Sequence, residues 1–572
     1  MLSPSVLNTA QICSKLGVNH VILSPGSRSA PLTLAFVRHP KITTKIISDE
    51  RSAAFIGLGL AQQRRQPVGL VCTSGSAAYN YAPAVAEAFF QQVPLVIFTA
   101  DRPPEWIDQL DGQTIRQRNI YGGHVKASYE LPVGQTEADT WHAGRIVSEA
   151  INLSQQFPPG PVHVNVPVRE PFYPNADEEV TFDAQTKVIT SVSSPSRLSE
   201  EIWRALAEDW SRYKCKLVVG GQGEKNIQLV EALNHISRTQ QVPVIADVIS
   251  NLHPVASAIQ HADVLLAQPQ DDLTPDLLIT FGRSVISKNL KLFLRKHRPG
   301  AHWHIQPAGT AADTFQSLTR VIHTHPVTFF QSLPPASTSG SLQPRYYERW
   351  QQAEAKAQDC LTTLFDTTLD LPPGEFQAMQ AIMPQLPDGI NLHLANSMTV
   401  RYANLVGLFG QHTSVDVFAN RGTSGIDGSS STAVGSALAS DRLTVLITGD
   451  MAFFYDRNAF WHQYPLPNLR IILLNNHAGG IFRLIEGPRQ QPELEEYFET
   501  CQPLTAERTA QDFGMGYQCI DFATSGSLSL LQAQLSALFD EDTKQAQLLE
   551  ITTDTRVNQQ WYARYQSVAK GN

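Results

Sequence analysis

The chain has 572 residues, of which 42% are hydrophobic, and a formal net charge of -9 at pH 7. This length suits roughly three or four domains with well-buried cores. The acidic balance and the lack of Lys/Arg runs argue against a nucleic-acid-binding protein. No apolar stretch approaches the roughly 18 residues that span a bilayer, and the N-terminal stretch lacks the basic and apolar parts of a signal peptide. We therefore expect a soluble, cytoplasmic protein with no membrane insertion.

Six cysteines are scattered along the chain without a C-x-x-C pair and without a histidine at metal-binding spacing. This pattern is typical of core residues in a reducing compartment. The cysteines expected in the core are Cys13, Cys72, Cys215, Cys360, Cys501 and Cys519.

The first segment alternates short apolar runs with helical patterns. Runs such as VILSPG, GLVCTSG and LVIFTADR predict an α/β layout with a mainly parallel sheet. In HVILSPGSRSAP, the apolar run predicts a strand, Pro-Gly a turn, and Ser27 or Ser29 a helix cap. Such a junction exposes backbone N–H groups and suits an anion, which favours Arg28 as an anion ligand. The alternative is that Arg28 only lies along the end of the strand.

Two Ser- and Pro-rich stretches, 188–199 and 332–344, look like linkers. Between them, EEIWRALAEDW predicts a helix, and KLVVGG, VPVIADV and DLLITFG predict strands of a second α/β segment. The apolar face of that helix comprises Ile202, Trp203, Leu206 and Trp210.

The third segment begins with a predicted helix near 346–366. Its predicted strands are NLHLANS, VDVFANR, TVLITGD and RIILLNN. Strands in the first and third segments end in polar or glycine-containing turns, where open α/β sheets place their ligands. The predicted fold is three doubly wound, mainly parallel α/β domains at 1–187, 198–335 and 345–572.

The strongest motif is LITGDMAFFYDRNAFWHQYPLPNLRIILLNN, residues 446–476. Asp450 ends one predicted strand and Asn476 ends the next, so adjacent parallel strands would bring both side chains to one sheet edge. A carboxylate, an amide oxygen, a backbone carbonyl and diphosphate oxygens form a cage suited to Mg²⁺. Gly449 lets a diphosphate approach the backbone. The alternative is two unrelated strand-end turns.

This G-D…N-N segment resembles the cofactor motif of thiamine-diphosphate enzymes. Read with SPGSRSAPLTLA, DERSAAF, TSGSAAYNYAPAVAEA, TADRPPE, NRGTSGIDG and NNHAGGIF, the chain resembles the family of 2-succinyl-5-enolpyruvyl-6-hydroxy-3-cyclohexene-1-carboxylate synthases of menaquinone and phylloquinone biosynthesis. Met451 stands where the third glycine of the general motif is usual, and that family also has a non-glycine residue at this position. The resemblance covers both end segments, and the middle segment mainly at GRSVISK.

The resemblance implies thiamine diphosphate and Mg²⁺, for which Mn²⁺ can substitute, in a homodimer or homotetramer with active sites between subunits. The first domain is implied to bind the pyrimidine, where Glu50 hydrogen-bonds N1′ and favours the imino tautomer that removes the thiazolium C2 proton. Ile426 matches the apolar wedge under the cofactor. Implied metal ligands are Asp450, Asn476 and the carbonyl of Ala478. The implied cofactor-binding residues are Glu50, Ser74, Gly75, Ile426, Gly449, Asp450, Met451, Ala452 and Asn476.

The family's substrates, 2-oxoglutarate and isochorismate, each carry two carboxylates, which the planar fork of arginine binds bidentately. Glu50, Gln113 and Arg28 are the implied catalytic residues. The implied substrate-binding residues are Ser27, Arg28, Arg102, Gln113, Lys288, Ser397, Arg401 and Arg421, with Ile481 and Phe482 on an apolar wall. The chain departs from some relatives at Asn289 and at Gly112.

The implied reaction is decarboxylation of 2-oxoglutarate followed by conjugate addition to isochorismate. One alternative is a different thiamine-diphosphate enzyme acting on pyruvate, for which four arginines are excessive. Another is a non-catalytic nucleotide-binding protein that uses the GGQG turn at 220–223. The glycines of GLGLAQ at 57–62 lack the third glycine of a dinucleotide fingerprint.

Overall fold

The computed structural model describes residues 2–170, 172–174, 179–192, 198–334, 344–366, 371–408, 412–524, 526–540 and 542–571. Parts of the two expected linkers, 193–197 and 335–343, lie outside the described residues. The chain divides into two compact units. The first comprises Met1–Ser193, Asn420–Asp441 and Ala452–Leu469, and the second comprises Ser194–Ala419, Arg442–Met451 and Arg470–Asn572.

The first unit contains a six-stranded parallel sheet in the order β2-β1-β3-β4-β6-β5. Its strands are His20–Leu23 (β1), Thr43–Ile46 (β2), Val68–Cys72 (β3), Leu95–Asp101 (β4), Ser128–Glu130 (β5) and Val162–Pro167 (β6). The accompanying helices are Pro4–Lys15 (α1), Ala30–Val37 (α2), Glu50–Arg64 (α3), Ser76–Asn80 (α4), Ala82–Gln91 (α5) and Glu137–Gln155 (α6). The strand order reverses between β1 and β3, which is where open α/β sheets bind ligands.

Continuous apolar sequence explains the centre of this sheet. Strands β3 and β4 are buried along their whole length, as expected for strands covered by helices on both faces. The rings of Phe36 and Phe98 contact each other there, with centroids 5.7 Å apart.

The second unit contains two six-stranded sheets. The first has the order β12-β11-β10-β7-β8-β9 and parallel pairing. Its strands are Lys216–Gly220 (β7), Val244–Ala246 (β8), Ala258–Ile259 (β9), Leu277–Phe281 (β10), Ala301–Gln306 (β11) and Arg320–His323 (β12). Its helices are Glu200–Arg212 (α7), Ile227–Gln240 (α8), Ala262–Leu265 (α9), Lys288–Lys296 (α10) and Pro326–Gln331 (α11).

The loops after β7 and β10 pack closely at the point where the order of this middle sheet reverses. A Cβ on Gly221 would lie 2.2 Å from the Arg283 carbonyl oxygen, and one on Gly282 would lie 2.7 Å from the Gly221 carbonyl oxygen. The glycines of GGQG and Gly282 therefore allow one backbone to approach the other, which is a structural role for this turn.

The last sheet has the order β14-β13-β15-β16-β18-β17, with parallel pairing of β13 to β14 and β15 and of β18 to β16 and β17. Its strands are Asn391–Leu394 (β13), Asp416–Phe418 (β14), Thr444–Gly449 (β15), Leu469–Asn475 (β16), Gly516–Asp521 (β17) and Gln547–Thr552 (β18). The helices of this part of the chain are Pro344–Asp366 (α12), Glu375–Ile382 (α13), Met398–Val406 (α14), Ser429–Ala439 (α15), Asp450–Tyr455 (α16), Ile481–Leu484 (α17), Glu507–Asp512 (α18), Leu528–Leu538 (α19) and Thr555–Ala569 (α20). The order reverses between β13 and β15.

These three sheets confirm the predicted doubly wound, parallel α/β fold. The boundaries proposed for the three domains stay predictions. Among the described residues, no helix has both the length and the apolar character needed to cross a bilayer.

One local prediction is wrong: Cys501 and Cys519 are exposed, so not all six cysteines belong to cores, although none of the six is paired. The predicted helix at EEIWRALAEDW forms as α7, in which Leu206 and Trp210 are buried and Ile202 is 47% exposed. Ser29 takes the predicted N-cap position of α2, although its hydroxyl donates to the Gly26 carbonyl and accepts no hydrogen bond from the helix.

Candidate active site

The loops after β1 and β3 meet where the order of the first sheet reverses. A Cβ on Gly26 would lie 2.2 Å from the Cβ of Thr73, so only glycine permits this approach. The resulting turn leaves Ser27 exposed and buries Arg28, which is only 6% exposed.

Two arginines lie close together beyond this turn. The Arg28 guanidinium donates to the Val168 carbonyl at 3.1 Å and covers the ring of Phe172 at 4.4 Å. Arg102 pairs with Asp111 at 2.9 Å and donates to the carbonyl of Gly112 at 2.9 Å. Burial lowers the pKa of Arg28, and the nearby charge of Arg102 lowers it further. A bound carboxylate would relieve that repulsion.

Glu50 is the first residue of α3, so its position is fixed by the helix cap. The Asp49 carboxylate accepts from the N–H of Ser52 at 3.2 Å and from the amide of Asn458 at 2.8 Å. Glu50 itself is half-buried, and this burial raises the pKa of its carboxyl. Such a carboxyl can hold or accept a proton nearer to neutral pH.

Ser74 and Gly75 follow β3 and contact the segment that contains Gln113. Gly75 has φ +88°, and a Cβ there would lie 3.3 Å from the Gln113 carbonyl oxygen. The buried Gln117 side chain accepts from the Gly75 N–H at 2.8 Å and donates to the Ala100 carbonyl at 3.0 Å. Gln117 therefore fixes this turn, a role that no motif in the sequence indicated.

A buried carboxylate holds the loop that carries Arg421 and Ile426. Glu87 in α5 accepts from the N–H groups of Gly422 at 2.8 Å and Thr423 at 2.6 Å. Ile426 is half-buried, unlike a core isoleucine. Sequence reasoning missed Glu87, because its partners lie more than 330 residues away along the chain.

In the second unit, Asp450 and Asn476 follow β15 and β16, which are neighbours in the sheet. The predicted adjacency of these strands is therefore confirmed. The Ala478 N–H donates to Asn476 Oδ1 at 3.0 Å, which folds the turn after β16. Burial raises the pKa of Asp450 to about 6, an effect opposed by a hydrogen bond from Gln502.

Two further side chains fix these groups. The Asn476 amide donates to Glu375 Oε1 at 2.6 Å, and the Gln502 amide donates to Asp450 Oδ2 at 2.8 Å. Burial raises the pKa of Glu375 to about 8, and Asp450 adds to the shift. Neither Glu375 nor Gln502 stands in a recognisable motif.

The donor set fits a hard divalent cation with diphosphate. Asp450 supplies a carboxylate and Asn476 an amide oxygen, which are ligand types that Mg²⁺ accepts. A Cβ on Gly449 would meet no atom closer than 4.0 Å, so space remains beside that backbone. Met451 and Ala452 continue α16 from Asp450 and place backbone N–H groups in its first turn.

Ser397 is held in a strained backbone conformation between β13 and α14, with φ +74°. Its carbonyl accepts a hydrogen bond from the guanidinium of Arg401, one turn further along the helix. Non-glycine residues in this region of conformational space cluster at functional sites.

A cavity of about 570 Å³ in the second unit brings together three predicted substrate residues, Lys288, Arg401 and Ile481. Arg489 and Lys570 also line it, and neither was predicted. Phe482 follows Ile481, and its ring contacts that of Phe498, with centroids 5.9 Å apart. Asp263 and Glu486 line the cavity too, so its four cationic side chains exceed its carboxylates by two, a balance that suits a ligand with carboxylates.

Asn289, at which the sequence departs from some relatives, makes hydrogen bonds that explain its presence. The Asn289 amide donates to the Asp263 carbonyl at 2.7 Å, and its N–H donates to the Asp263 carboxylate at 2.8 Å. These bonds fix the start of α10 and hence the position of Lys288.

Comparisons with known proteins identify the chain. Residues 8–120 match the family described as thiamine pyrophosphate enzyme, N-terminal TPP binding domain, and residues 186–394 match the middle domain of thiamine pyrophosphate. The fold and these two family matches together show that the protein is a thiamine-diphosphate-dependent enzyme. A 2-succinyl-5-enolpyruvyl-6-hydroxy-3-cyclohexene-1-carboxylate synthase of Cytophaga hutchinsonii is 44% identical over 98% of both chains, and one of Flavobacterium psychrophilum is 40% identical over 97% of both. The chain belongs to this synthase family.

Proposed function

We propose that this enzyme decarboxylates 2-oxoglutarate and adds the resulting four-carbon unit to isochorismate, releasing CO₂ and forming 2-succinyl-5-enolpyruvyl-6-hydroxy-3-cyclohexene-1-carboxylate. The proposal rests on one observation: the chain aligns over nearly its full length with synthases named for this product, at up to 44% identity. The product serves menaquinone or phylloquinone biosynthesis.

Cationic side chains orient the two dicarboxylate substrates. In the first unit, Arg28 and Arg102 supply two guanidinium groups beside the turn of Ser27, and Arg421 is a further proposed carboxylate ligand. In the second unit, Lys288 and Arg401 line the cavity of about 570 Å³. Because two dianions repel each other in solution, bringing them together supplies much of the rate enhancement.

Glu50 would hydrogen-bond the pyrimidine of thiamine diphosphate, and Ser74, Gly75 and Ile426 would support the ring system. When bound, thiamine diphosphate supplies a nucleophilic carbon and an electron sink for decarboxylation. Burial raises the pKa of Glu50 above its ordinary value, the direction that suits a carboxyl exchanging a proton with the cofactor. Gln113 lies beside Gly75 and would position the acceptor or a water for proton transfer.

Asp450, Asn476 and the Ala478 carbonyl would hold Mg²⁺ against the cofactor's diphosphate, with Gly449, Met451 and Ala452 contributing backbone contacts. Mn²⁺ prefers similar oxygen donors and would substitute for it. We further propose a homodimer or homotetramer with active sites between subunits, located in the cytoplasm.

The deciding experiment measures isochorismate consumption by the purified protein with 2-oxoglutarate and Mg²⁺, with and without thiamine diphosphate. Consumption only in the complete mixture supports the proposal. Equal or greater consumption with pyruvate in place of 2-oxoglutarate would overturn the substrate assignment.

A further inference from the structure

We propose that Glu375 is a positioning residue that fixes the amide of Asn476 so that its oxygen is available to the metal. This inference deepens the proposed Mg²⁺ site and rests on it. Glu375 is the first residue of α13, stands 101 residues before Asn476 in the sequence, and is only 4% exposed.

The hydrogen bonds at Asn476 define which way its amide points. The amide nitrogen donates to Glu375 Oε1 at 2.6 Å, while the amide oxygen accepts from the Ala478 N–H at 3.0 Å. A rotated amide would set its oxygen against the carboxyl oxygen and its NH₂ against the Ala478 N–H. The contact with the Ala478 N–H would then be repulsive, and so would the contact with Glu375 in its ionised form. The ionised carboxylate and the Ala478 N–H together select the orientation in which oxygen lies on the Ala478 side.

The surroundings make Glu375 the determinant of this orientation. A Cβ on Gly480 would lie 2.8 Å from the Asn476 amide nitrogen, so the amide already fills the space that this glycine leaves. The backbone of Glu375 is itself fixed, because its N–H donates to Asn558 Oδ1 at 2.8 Å. Partners that orient metal ligands in this way contribute about 10- to 100-fold to metal affinity.

The neighbouring residue offers a matched control. Asn475 donates its amide to the buried carboxylate of Glu550 at 2.6 Å, the same distance as in the Asn476–Glu375 pair, and also to the Leu504 carbonyl at 2.9 Å. Glu550 also accepts from the Ala506 N–H at 3.0 Å and from the Tyr517 hydroxyl at 2.7 Å. Asn475 is not a predicted metal ligand, so the Glu550 pair tests the effect of a buried Asn–Glu bond on folding alone.

The test compares Glu375→Gln with Glu375→Asp. Glutamine keeps the reach of the acceptor but removes the charge, whereas aspartate keeps the charge and withdraws the acceptor by one methylene. We measure the Mg²⁺ dependence of thiamine diphosphate binding by calorimetry, and the binding of Mn²⁺ in the presence of thiamine diphosphate by electron paramagnetic resonance.

If Glu375 acts by orientation, Glu375→Gln stays within about 3-fold of the parent protein in metal affinity and Glu375→Asp loses about 10-fold or more. Glu550→Gln and Glu550→Asp leave metal affinity unchanged even where they lower the melting temperature. If Glu375→Gln bound the metal more weakly than Glu375→Asp, the result would show that the charge of Glu375 matters and the orientation of the Asn476 amide does not. Equal affinities for both Glu375 variants would also overturn the inference. Cofactor binding by the parent protein without any metal dependence would instead overturn the proposed metal site.

Discussion

At the scale of single residues, the half-buried carboxyl of Glu50 governs the proposed chemistry. We predict that Glu50→Gln retains thiamine diphosphate binding, because the side chain keeps its shape and hydrogen-bonding reach. Turnover should fall by about 10²- to 10⁴-fold, the contribution of a positioned proton-transfer group. Calorimetry and steady-state kinetics on the same preparation measure both quantities.

A suitable control for this variant is Glu149→Gln, which removes an exposed ion pair with Arg145 in α6. Such pairs contribute about 0–1 kcal/mol, so its activity and stability should match those of the parent protein. Full turnover by Glu50→Gln would remove Glu50 from the mechanism.

At the scale of elements, helices α3 and α15 approach each other through two glycines. A Cβ on Gly59 would lie 2.0 Å from the Thr432 carbonyl oxygen, and one on Gly435 would lie 2.1 Å from the Ile56 carbonyl oxygen. Each glycine thus receives the backbone of the other helix. Of the two glycines of GLGLAQ, Gly59 faces α15, whereas a Cβ on Gly57 would lie 2.5 Å from Leu70 Cδ2 in β3. Both therefore serve packing, in agreement with their failure to match a dinucleotide fingerprint.

We predict that Gly59→Ala destabilises the protein by about 1–3 kcal/mol or more, since backbone and not a mobile side chain must move. Gly144→Ala in α6 is the matched control, because the new methyl group would meet only Ile12 Cδ1 at 3.5 Å. That variant should be neutral or more stable by about 0.4–1 kcal/mol. Thermal unfolding of both variants provides the measurement. Equal losses of stability in Gly59→Ala and Gly144→Ala would contradict the packing argument.

Helix α12 is tied to α9 and α14 by a buried histidine. His261 Nδ1 lies 2.6 Å from Glu354 Oε1, and its Nε2 lies 3.2 Å from the Val406 carbonyl oxygen. Both partners are acceptors, so protonation of both ring nitrogens satisfies both hydrogen bonds. Burial lowers the pKa of His261, but the bond and charge of Glu354 outweigh burial and leave the pKa above its ordinary value of 6.5.

A folded-state pKa above the unfolded value means that the pair stabilises fully below about pH 6.5, and that this stabilisation disappears as pH rises through the folded pKa. We predict that the parent protein is more stable than Glu354→Gln at pH 6 and that the difference shrinks towards pH 9. The slope is at most about 1.4 kcal/mol per pH unit. Melting temperatures of both proteins across this range measure it, and a constant or widening difference would contradict the assignment.

At the scale of the whole molecule, the predicted site residues divide between the two units. Glu50, Arg28 and Arg102 belong to the first, and Asp450 and Asn476 to the second. With active sites between subunits, as proposed, the monomer should be inactive. We predict that specific activity falls on dilution in parallel with dissociation measured by sedimentation; an active monomer would refute this.

Local signals explain what sequence reasoning predicted of the fold. Strands such as β4 and β16 are continuous apolar runs that end in polar turns, and such runs can be predicted from the sequence without any tertiary information. The adjacency of β15 and β16, the strands that precede Asp450 and Asn476, followed from the rule that short βαβ connections link neighbouring parallel strands.

The missed residues depend on contacts between distant parts of the chain. Glu375 follows Pro-Pro-Gly at a helix start, where a glutamate is ordinary, and only the fold brings it to Asn476. Glu87 lies in an apolar helix and meets a loop far along the chain. Cys501 follows Thr500, whose φ is +46°, and its exposure is likewise not predicted by any periodic pattern.

The close approach of the two middle-sheet loops bears on how this domain can evolve. A Cβ on Gly221 would meet the backbone of Arg283, and one on Gly282 would meet the backbone of Gly221, so any larger residue at either position must displace backbone. A substitution at one of these glycines therefore needs a compensating change in the facing loop. We expect the two loops to change together in evolution, whereas exposed positions elsewhere in the domain can change one at a time.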